Sequence, residues 1–360
     1  MTTGVRLAIA DDDAGLRALL RRSVMPGAVT VAFTREPAYG AGAGLAGADE
    51  RTIVLEHDGT VVGMGRCSVR TLHRNGRPCR LGYLSELRTD AGIPGVGRAL
   101  REGYRLLGDW AASTGVEGVF TSIADDNARA RQVLEHGGRL GLPAYRAVCE
   151  LVTLVAPVAR GTAVPADGAA APAVDELTAF LARHAPSTHL TLAWDGDLWT
   201  ALAAHGLTPV DFAVVRDRGR IVAAAGLWDQ RAFRQIVVDA LHGALGVMRP
   251  VVNLALGLRG RPVLPGPGDV VAQAAVVAPT VAEAGHWPAL HAALQARAAA
   301  RGLAWTTVAL DRRDPALTAC RRLLRPREYR TTLYDVRWSL QRSAPEAWDA
   351  RGFRPEVGLL

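Results

Sequence analysis

Three glycines separate a strand-like segment from an amphipathic helix near residue 90, and this junction constrains the fold more than any other feature. Residues 84–89 lead into Gly92, Gly95 and Gly97, and apolar residues then recur at helical spacing. Glycine has no Cβ, so backbone N–H groups at such positions can approach an anion closely. The positive end of the helix favours negative charge there. The sequence therefore predicts a phosphate-binding turn between a strand and a helix.

Strand and helix patterns surround this turn. Turns at His57-Asp58-Gly59 and Asn75-Gly76 connect three successive strands before the glycines. After the glycine helix, Asp126-Asn127 is expected to cap a second helix. Two of the three strands before the glycines are residues 51–56 and 61–72, and two later strands are predicted at 119–123 and 145–154. The first half is therefore expected to place helices on a mostly antiparallel sheet.

The second half repeats this pattern without repeating its residues. Residues 305–311 echo 120–125 as a strand with an acidic end, and a helix from Asp314 and a strand at 329–338 follow. The counterpart of the glycine turn, residues 280–287, has one glycine and a glutamate. We therefore expect the second half to have lost phosphate binding.

This order of elements resembles the acyl-CoA-binding half of the GNAT superfamily of N-acyltransferases. The resemblance implies an α+β fold of two tandem GNAT-like domains, each a mostly antiparallel twisted sheet flanked by helices. It also implies an acyl-CoA co-substrate, expected to be acetyl-CoA. No metal is expected, because His184 and His189 lack neighbouring metal ligands in the sequence. The expected boundaries are 1–155 for the acyl-CoA-binding domain, 156–173 for an Ala/Pro/Gly-rich linker, 174–340 for the degenerate domain and 341–360 for a C-terminal tail.

The resemblance assigns the glycine turn to the CoA pyrophosphate. Gly95 and Gly97 occupy the family's glycine positions, Gly92 stands where a cation is usual, and Arg98 is the expected replacement for that cation. A tight strand-to-helix connection without a ligand is the alternative. The expected acyl-CoA contacts are Leu87, Arg88, Gly92, Gly95, Val96, Gly97, Arg98 and Asn127.

Acyl transfer to an amine requires a proton acceptor for the amine and a proton donor for the thiolate. Glu86 is the expected acceptor, with a pKa raised by apolar neighbours such as Leu84. The alternatives are a solvated carboxylate on a sheet face and an ion pair with Arg88. The family's donor is a tyrosine seven residues after Asn127, but that position is Leu134.

Two further sets of residues complete the expected site. Tyr145 is the expected substitute for the absent tyrosine, and Tyr83 is a weaker candidate. Trp228 and Asp229 are expected to bind the acceptor, with the carboxylate holding an ammonium group. A β-turn with a packed tryptophan is the alternative interpretation of this pair.

The composition limits the classes of partner that this protein is expected to bind. The net charge of +7 comes from arginines that are scattered along a chain without lysine. Because a nucleic-acid-binding surface needs clustered cations, nucleic acid is not an expected partner; tRNA is the one exception. Four widely spaced cysteines suggest free thiols, and the sequence shows no signal peptide or membrane-spanning run. We expect a cytoplasmic protein with no membrane partner; the oligomeric state stays open.

The sequence thus predicts an acyl-CoA-dependent N-acyltransferase, specifically an acetyl-CoA-dependent one, that acts on a small-molecule amine. Two alternatives remain at this stage. One is an acyltransferase that takes its acyl group from an aminoacyl-tRNA. The other is a GNAT-like protein that binds a ligand without catalysis.

Overall fold

The computed structural model describes residues 3–159, 171–338 and 346–360. Its strands are β1 Thr3–Leu7, β2 Val24–Met25, β3 Val29–Thr34, β4 Asp49–His57, β5 Thr60–Arg74, β6 Arg77–Thr89, β7 Gly118–Ala124, β8 Ala144–Pro157, β9 Phe212–Asp217, β10 Arg220–Trp228, β11 Gln235–Leu241, β12 Gln273–Val281, β13 Trp305–Asp311 and β14 Arg327–Arg337. Its α-helices are α1 Asp13–Arg22, α2 Val96–Ser113, α3 Ala128–Glu135, α4 Val174–His184, α5 Gly196–Ala203, α6 Ala244–Leu258, α7 Trp287–Ala300 and α8 Ala316–Leu324.

A single mostly antiparallel sheet of eleven strands runs through both halves, in the order β1-β4-β5-β6-β7-β14-β8-β13-β12-β10-β9. The expected α+β class is confirmed, but the two sheets expected for the two domains are joined into one sheet. The closing strands are exchanged between the halves: β14 lies between β7 and β8, and β8 pairs with β13. A separate sheet of β11, β3 and β2 also joins the two halves.

The two halves share a specific backbone feature. The parallel pair β6–β7 is hydrogen-bonded only as far as Leu84 and Thr121, and the parallel pair β12–β13 only as far as Ala275 and Thr307. Just beyond each pairing lies a β-bulge, with Glu86 at φ 56° and Ala278 at φ 47°. Because a bulge bends its strand, each parallel pair opens at this point. The tandem repeat predicted from the sequence is therefore present in the backbone.

Most of the predicted elements are present, with boundaries that differ by a few residues. Part of the expected linker, 160–170, and part of the expected tail, 341–345, lie outside the described residues. The rest of the tail is folded into the protein, because Phe353, Glu356 and Leu359 are buried.

This C-terminal segment occupies the opening of the second half. The Ala278 N–H donates to Glu356 Oε2 at 2.9 Å, and the Asp311 N–H donates to the Phe353 carbonyl at 3.1 Å. The segment therefore contacts both strands that diverge, β12 at the bulge and β13 at its end. Burial raises the pKa of Glu356 to about 7, against the opposing effects of the Ala278 N–H and of Arg354.

We predict that Glu356→Gln stabilises the protein at pH 8 more than at pH 4. The folded-state pKa is above that of the unfolded chain, so the wild type loses stability as the pH rises from about 4.5 to about 7, by about 3 kcal/mol in total. Glutamine retains an oxygen for the Ala278 N–H and does not ionise. Urea unfolding of both proteins across this pH range measures the difference; a difference independent of pH would contradict the prediction.

Candidate active site

A cavity of about 650 Å³ lies where β6 and β7 diverge, and residues of both halves line it. Its first-half wall is largely apolar; this wall includes Ile53, Leu84, Leu100, Leu107, Ile123 and Leu134. A larger share of the second-half lining is polar; its polar residues include Arg231, Arg234, Gln235, Gln273 and Tyr329. A cavity of this size and mixed lining is typical of a site for a small organic ligand.

Glu86 lies on the bulge at the centre of this cavity, and its side chain is only 12% exposed. Arg35, just after β3, donates to Glu86 Oε1 at 2.7 Å, and the Tyr39 hydroxyl donates to Oε2 at 2.7 Å. The Arg66 guanidinium lies 4.0 Å from the same carboxylate and also pairs with Glu50. The carboxylate is thus held by groups from three separate parts of the chain.

These contacts reverse the expected pKa shift of Glu86. Burial alone would raise its pKa, but the charges of Arg35 and Arg66 and the hydrogen bond from Tyr39 outweigh burial and lower the pKa to about 2. The expectation of a raised pKa is therefore wrong, because the apolar neighbour Leu84 has less influence than the arginines. A carboxylate stabilised in this way is a weak proton acceptor near neutral pH. The catalytic role of Glu86 stays a prediction.

The glycine turn follows β6 and ends at α2. Gly92 and Gly95 have φ of 75° and 77°, and Gly95 caps the helix. In the described part of the chain, the Val96 and Gly97 amides have no hydrogen-bond acceptor, as is usual at a helix start. A Cβ on Gly95 or Gly97 would meet no atom within 4 Å. The turn can therefore present free N–H groups to an anion, and Arg98 beside it is exposed.

No protein-family model matches this sequence, and no curated protein matches it. The structure is similar to Saccharomyces cerevisiae N-myristoyltransferase with bound myristoyl-CoA, with a TM-score of 0.63 and 8% identity over 98% of this chain and 88% of that one. It is also similar to a GCN5-related N-acetyltransferase from Sphaerobacter thermophilus, with a TM-score of 0.52 and 13% identity over 93% and 96% of the two chains. This chain has the GNAT fold.

Within the GNAT fold, the predicted cofactor residues divide into two groups. Leu87, Arg88 and Asn127 line the cavity. The other five, Gly92, Gly95, Val96, Gly97 and Arg98, form the turn and the first residues of α2 and do not line it. The Asn127 side chain accepts a hydrogen bond from the Ala130 N–H at 3.1 Å, so it caps α3 as the pattern indicates.

The tyrosines of this GNAT fold differ in how they are bonded. The Tyr145 hydroxyl is 2.5 Å from the Tyr104 hydroxyl, and burial together with Tyr104 raises its pKa well above the usual value. The Tyr83 hydroxyl is 3.0 Å from Ser122 Oγ. Leu134, in the position of the family's tyrosine, is buried in the cavity wall. Both predicted tyrosines therefore already have partners, and the role assigned to Tyr145 stays a prediction.

Tyr329, which the sequence analysis missed, is the tyrosine with an unpaired hydroxyl. It lies on β14, two residues before Thr331, which pairs with Ala124 at the end of β7. Among the described residues its buried hydroxyl makes no hydrogen bond of normal geometry, although the Asp126 carboxylate lies close enough to interact with it. Burial and the nearby carboxylate of Asp126 raise its pKa to about 12, so the phenol keeps its proton. Only the strand exchange brings this residue to the cavity.

The predicted acceptor residues are held by their own contacts. Trp228 is fully buried, lines the cavity and donates from Nε1 to the His205 carbonyl at 2.9 Å. Asp229 does not line the cavity. Its carboxylate is paired with Arg231 at 2.6 Å; burial would raise its pKa, but Arg231 lowers it. The structure therefore brings Trp228 into the site and does not bring Asp229.

We predict that Glu86→Gln lowers the free energy of unfolding by about 3 kcal/mol at pH 7, because it leaves Arg35 buried without its carboxylate and removes one of the two acidic partners of Arg66, which keeps Glu50. The Glu86 pKa is depressed, so this loss is present above about pH 4.5 and disappears as the pH falls toward 2.

Urea unfolding measures this loss. Glu56→Gln is the matched control, because it removes a half-exposed ion pair with Arg6 and should cost under about 1 kcal/mol. Equal effects of the two substitutions would contradict the prediction.

Proposed function

We propose that this protein is an acyl-CoA-dependent N-acyltransferase that acylates a small-molecule amine. The observation that carries the proposal is the opening between β6 and β7. There a bulge, a helix start with free N–H groups and a cavity of about 650 Å³ lie together on one strand-to-helix connection. The GNAT fold shared with a myristoyl-CoA-bound transferase supports this assignment.

The residues of the turn fit the phosphates of CoA. The amides of Val96 and Gly97 begin α2 and, among the described residues, have no acceptor. The nearest acidic residue before the turn, Asp90, is paired with Arg22, so its charge is offset. Arg98 adds a cation at the helix start. Oriented N–H groups, the helix dipole and a nearby cation favour a bound anion.

The cavity supports a donor with an acyl chain longer than acetyl. Leu84, Leu107, Ile123 and Leu134 form an apolar wall beyond the bulge. An acetyl group would leave most of this wall without a contact, whereas a longer chain would bury apolar surface against it. Acetyl-CoA, the donor expected from the sequence, is therefore one of at least two donors to test.

In this proposal Tyr329 donates a proton, or a hydrogen bond, to the departing thiolate. Its hydroxyl is buried at the cavity and, within the described chain, makes no hydrogen bond of normal geometry; the neighbouring Asp126 carboxylate keeps it protonated. When bound, the acyl-CoA supplies the thioester that the amine attacks. As the amine nitrogen bonds to the acyl carbon, the C–S bond breaks and the thiolate takes the Tyr329 proton; the proton that the nitrogen loses then restores the phenol. Glu86 holds Arg35 and Arg66 beside the bulge. Trp228 contributes an apolar surface for the acceptor.

We predict that the wild type binds acyl-CoA with about micromolar affinity and that a long-chain acyl-CoA binds more tightly than acetyl-CoA. We also predict that Gly95→Glu weakens both affinities at least about tenfold, because it introduces bulk and negative charge at the free N–H groups. Isothermal titration calorimetry with acetyl-CoA and decanoyl-CoA measures these affinities.

Gly115→Glu is the matched control for this experiment. Gly115 also has a positive φ, 71°, and open space around it, but it follows the other end of α2. Its variant should bind as the wild type does. Absence of acyl-CoA binding to the folded wild type, or equal loss in both variants, would refute the proposed site.

We predict that Tyr329→Phe lowers kcat about a hundredfold or more and leaves the acyl-CoA affinity within about threefold of wild type. The variant removes only a hydroxyl that makes no hydrogen bond of normal geometry among the described residues. Tyr145→Phe is the comparison, because its hydroxyl contacts Tyr104. Steady-state kinetics over an amine panel measures both. A larger loss in Tyr145→Phe would return the proton-donor role to Tyr145, and tight binding with no turnover would indicate a ligand-binding protein.

A further inference from the structure

Helix α6 exposes a continuous apolar face. Val247, Val251, Leu254 and Leu258 recur at spacings of four, three and four residues, so they lie on one side of the helix. They are 82%, 58%, 67% and 82% exposed. An isolated exposed valine or leucine is ordinary, but a helix with four on one face marks an interaction surface.

The orientation of α6 is fixed by polar contacts on its opposite side. Asn253 accepts from the Leu264 N–H at 2.7 Å and donates to the Leu264 carbonyl at 3.1 Å. Arg249 donates to the same carbonyl at 3.1 Å and lies 3.8 Å from Asp269. The helix is thereby attached to the body by one side, and its apolar face is directed outward.

The charges around this face have one sign. Residues 243–268 contain three arginines and no acidic residue. Of these three, Arg249 lies near Asp269, whereas Arg259 and Arg261, at the C-terminal end of α6, form no ion pair among the described residues. An outward apolar face flanked by unpaired cations has the chemistry that recognises an anionic lipid surface.

We propose that α6 docks on an anionic lipid membrane, with its apolar face in the headgroup and acyl-chain boundary and Arg259 and Arg261 at the lipid phosphates. A second copy of this chain fits the face less well, because the same face of that copy contains no acidic residue to pair with Arg259 and Arg261. Within the described residues no helix combines the length and the apolar character needed to cross a bilayer, so α6 would lie on the surface. The sequence analysis expected no membrane partner because it did not identify this helix.

The docked helix would lie close to the part of the cavity that Met25 and Val29 line. The His242 N–H, just before α6, donates to the Ala28 carbonyl, and Leu241 pairs with Val29. Val29 and Met25 line the cavity. The proposed surface is nevertheless independent of the proposed acyl transfer, since it uses none of the cavity residues.

The test is cosedimentation of the purified protein with vesicles of phosphatidylcholine alone and of equal parts phosphatidylcholine and phosphatidylglycerol. We expect binding to the anionic vesicles that weakens with added salt. The double variant Val251→Glu/Leu254→Glu should lower the partition coefficient about tenfold or more. The double variant Arg259→Ala/Arg261→Ala should lower it about tenfold on anionic vesicles only.

Matched controls separate this surface from general stickiness. Val210→Glu changes a valine that is 55% exposed outside α6, and Arg218→Ala/Arg220→Ala removes two exposed arginines of the β9–β10 turn. Both should bind vesicles as the wild type does. Failure of the wild type to bind anionic vesicles, or equal binding by the α6 variants, would overturn the proposal. So would a wild-type dimer, measured by light scattering, that Val251→Glu/Leu254→Glu dissociates, since the face would then be an interface between copies.

Discussion

A buried carboxylate at a β-bulge holds the site together. A charge in this position is costly unless it is paired, and Glu86 is paired with Arg35 and Arg66 and hydrogen-bonded by Tyr39. These partners come from the end of β3, from β5 and from the turn before β4, so the bulge is tied to both sheets. Because the bulge bends β6 away from β7, this charge cluster also maintains the opening that becomes the cavity. The low pKa of Glu86 is thus a sign that the group holds the site in place.

The second half has a bulge at the equivalent position, but the residue on the bulge and its contacts are different. Ala278 has the same left-handed conformation as Glu86 but no charged side chain, and its N–H is bonded to Glu356. The C-terminal segment fills the space between β12 and β13, which in the first half is open. The backbone repeat therefore supplies two equivalent openings, and the residues that follow decide which of them is available to a ligand. The expectation that the second half has lost phosphate binding stays a prediction.

The sequence was informative wherever the signal was local. Strand alternation, glycine turns and the Asp126-Asn127 cap predicted the elements around the site, because each depends on neighbouring residues. The sign of the Glu86 pKa shift was wrong because Leu84 is a neighbour in sequence, whereas Arg35 is 51 residues away. Tyr329 was missed for the same reason: a strand pattern at 329–338 does not reveal which strands it will join. Helix α6 was missed because it contains Gly246, Pro250 and Gly257, residue types that disfavour a helix interior.

The strand exchange makes the first half depend on the second, whether or not the second half binds a cofactor of its own. With β14 between β7 and β8, the second half supplies both the pairing partner for β7 and the hydroxyl of Tyr329. Removal of the second half would expose β7 and β8 as unpaired edges and would open the cavity on the side of Trp228 and Gln235. The halves therefore depend on each other for strand pairing and for the walls of one site. A degenerate domain in such an arrangement can lose its own ligand and still be indispensable to the neighbouring one.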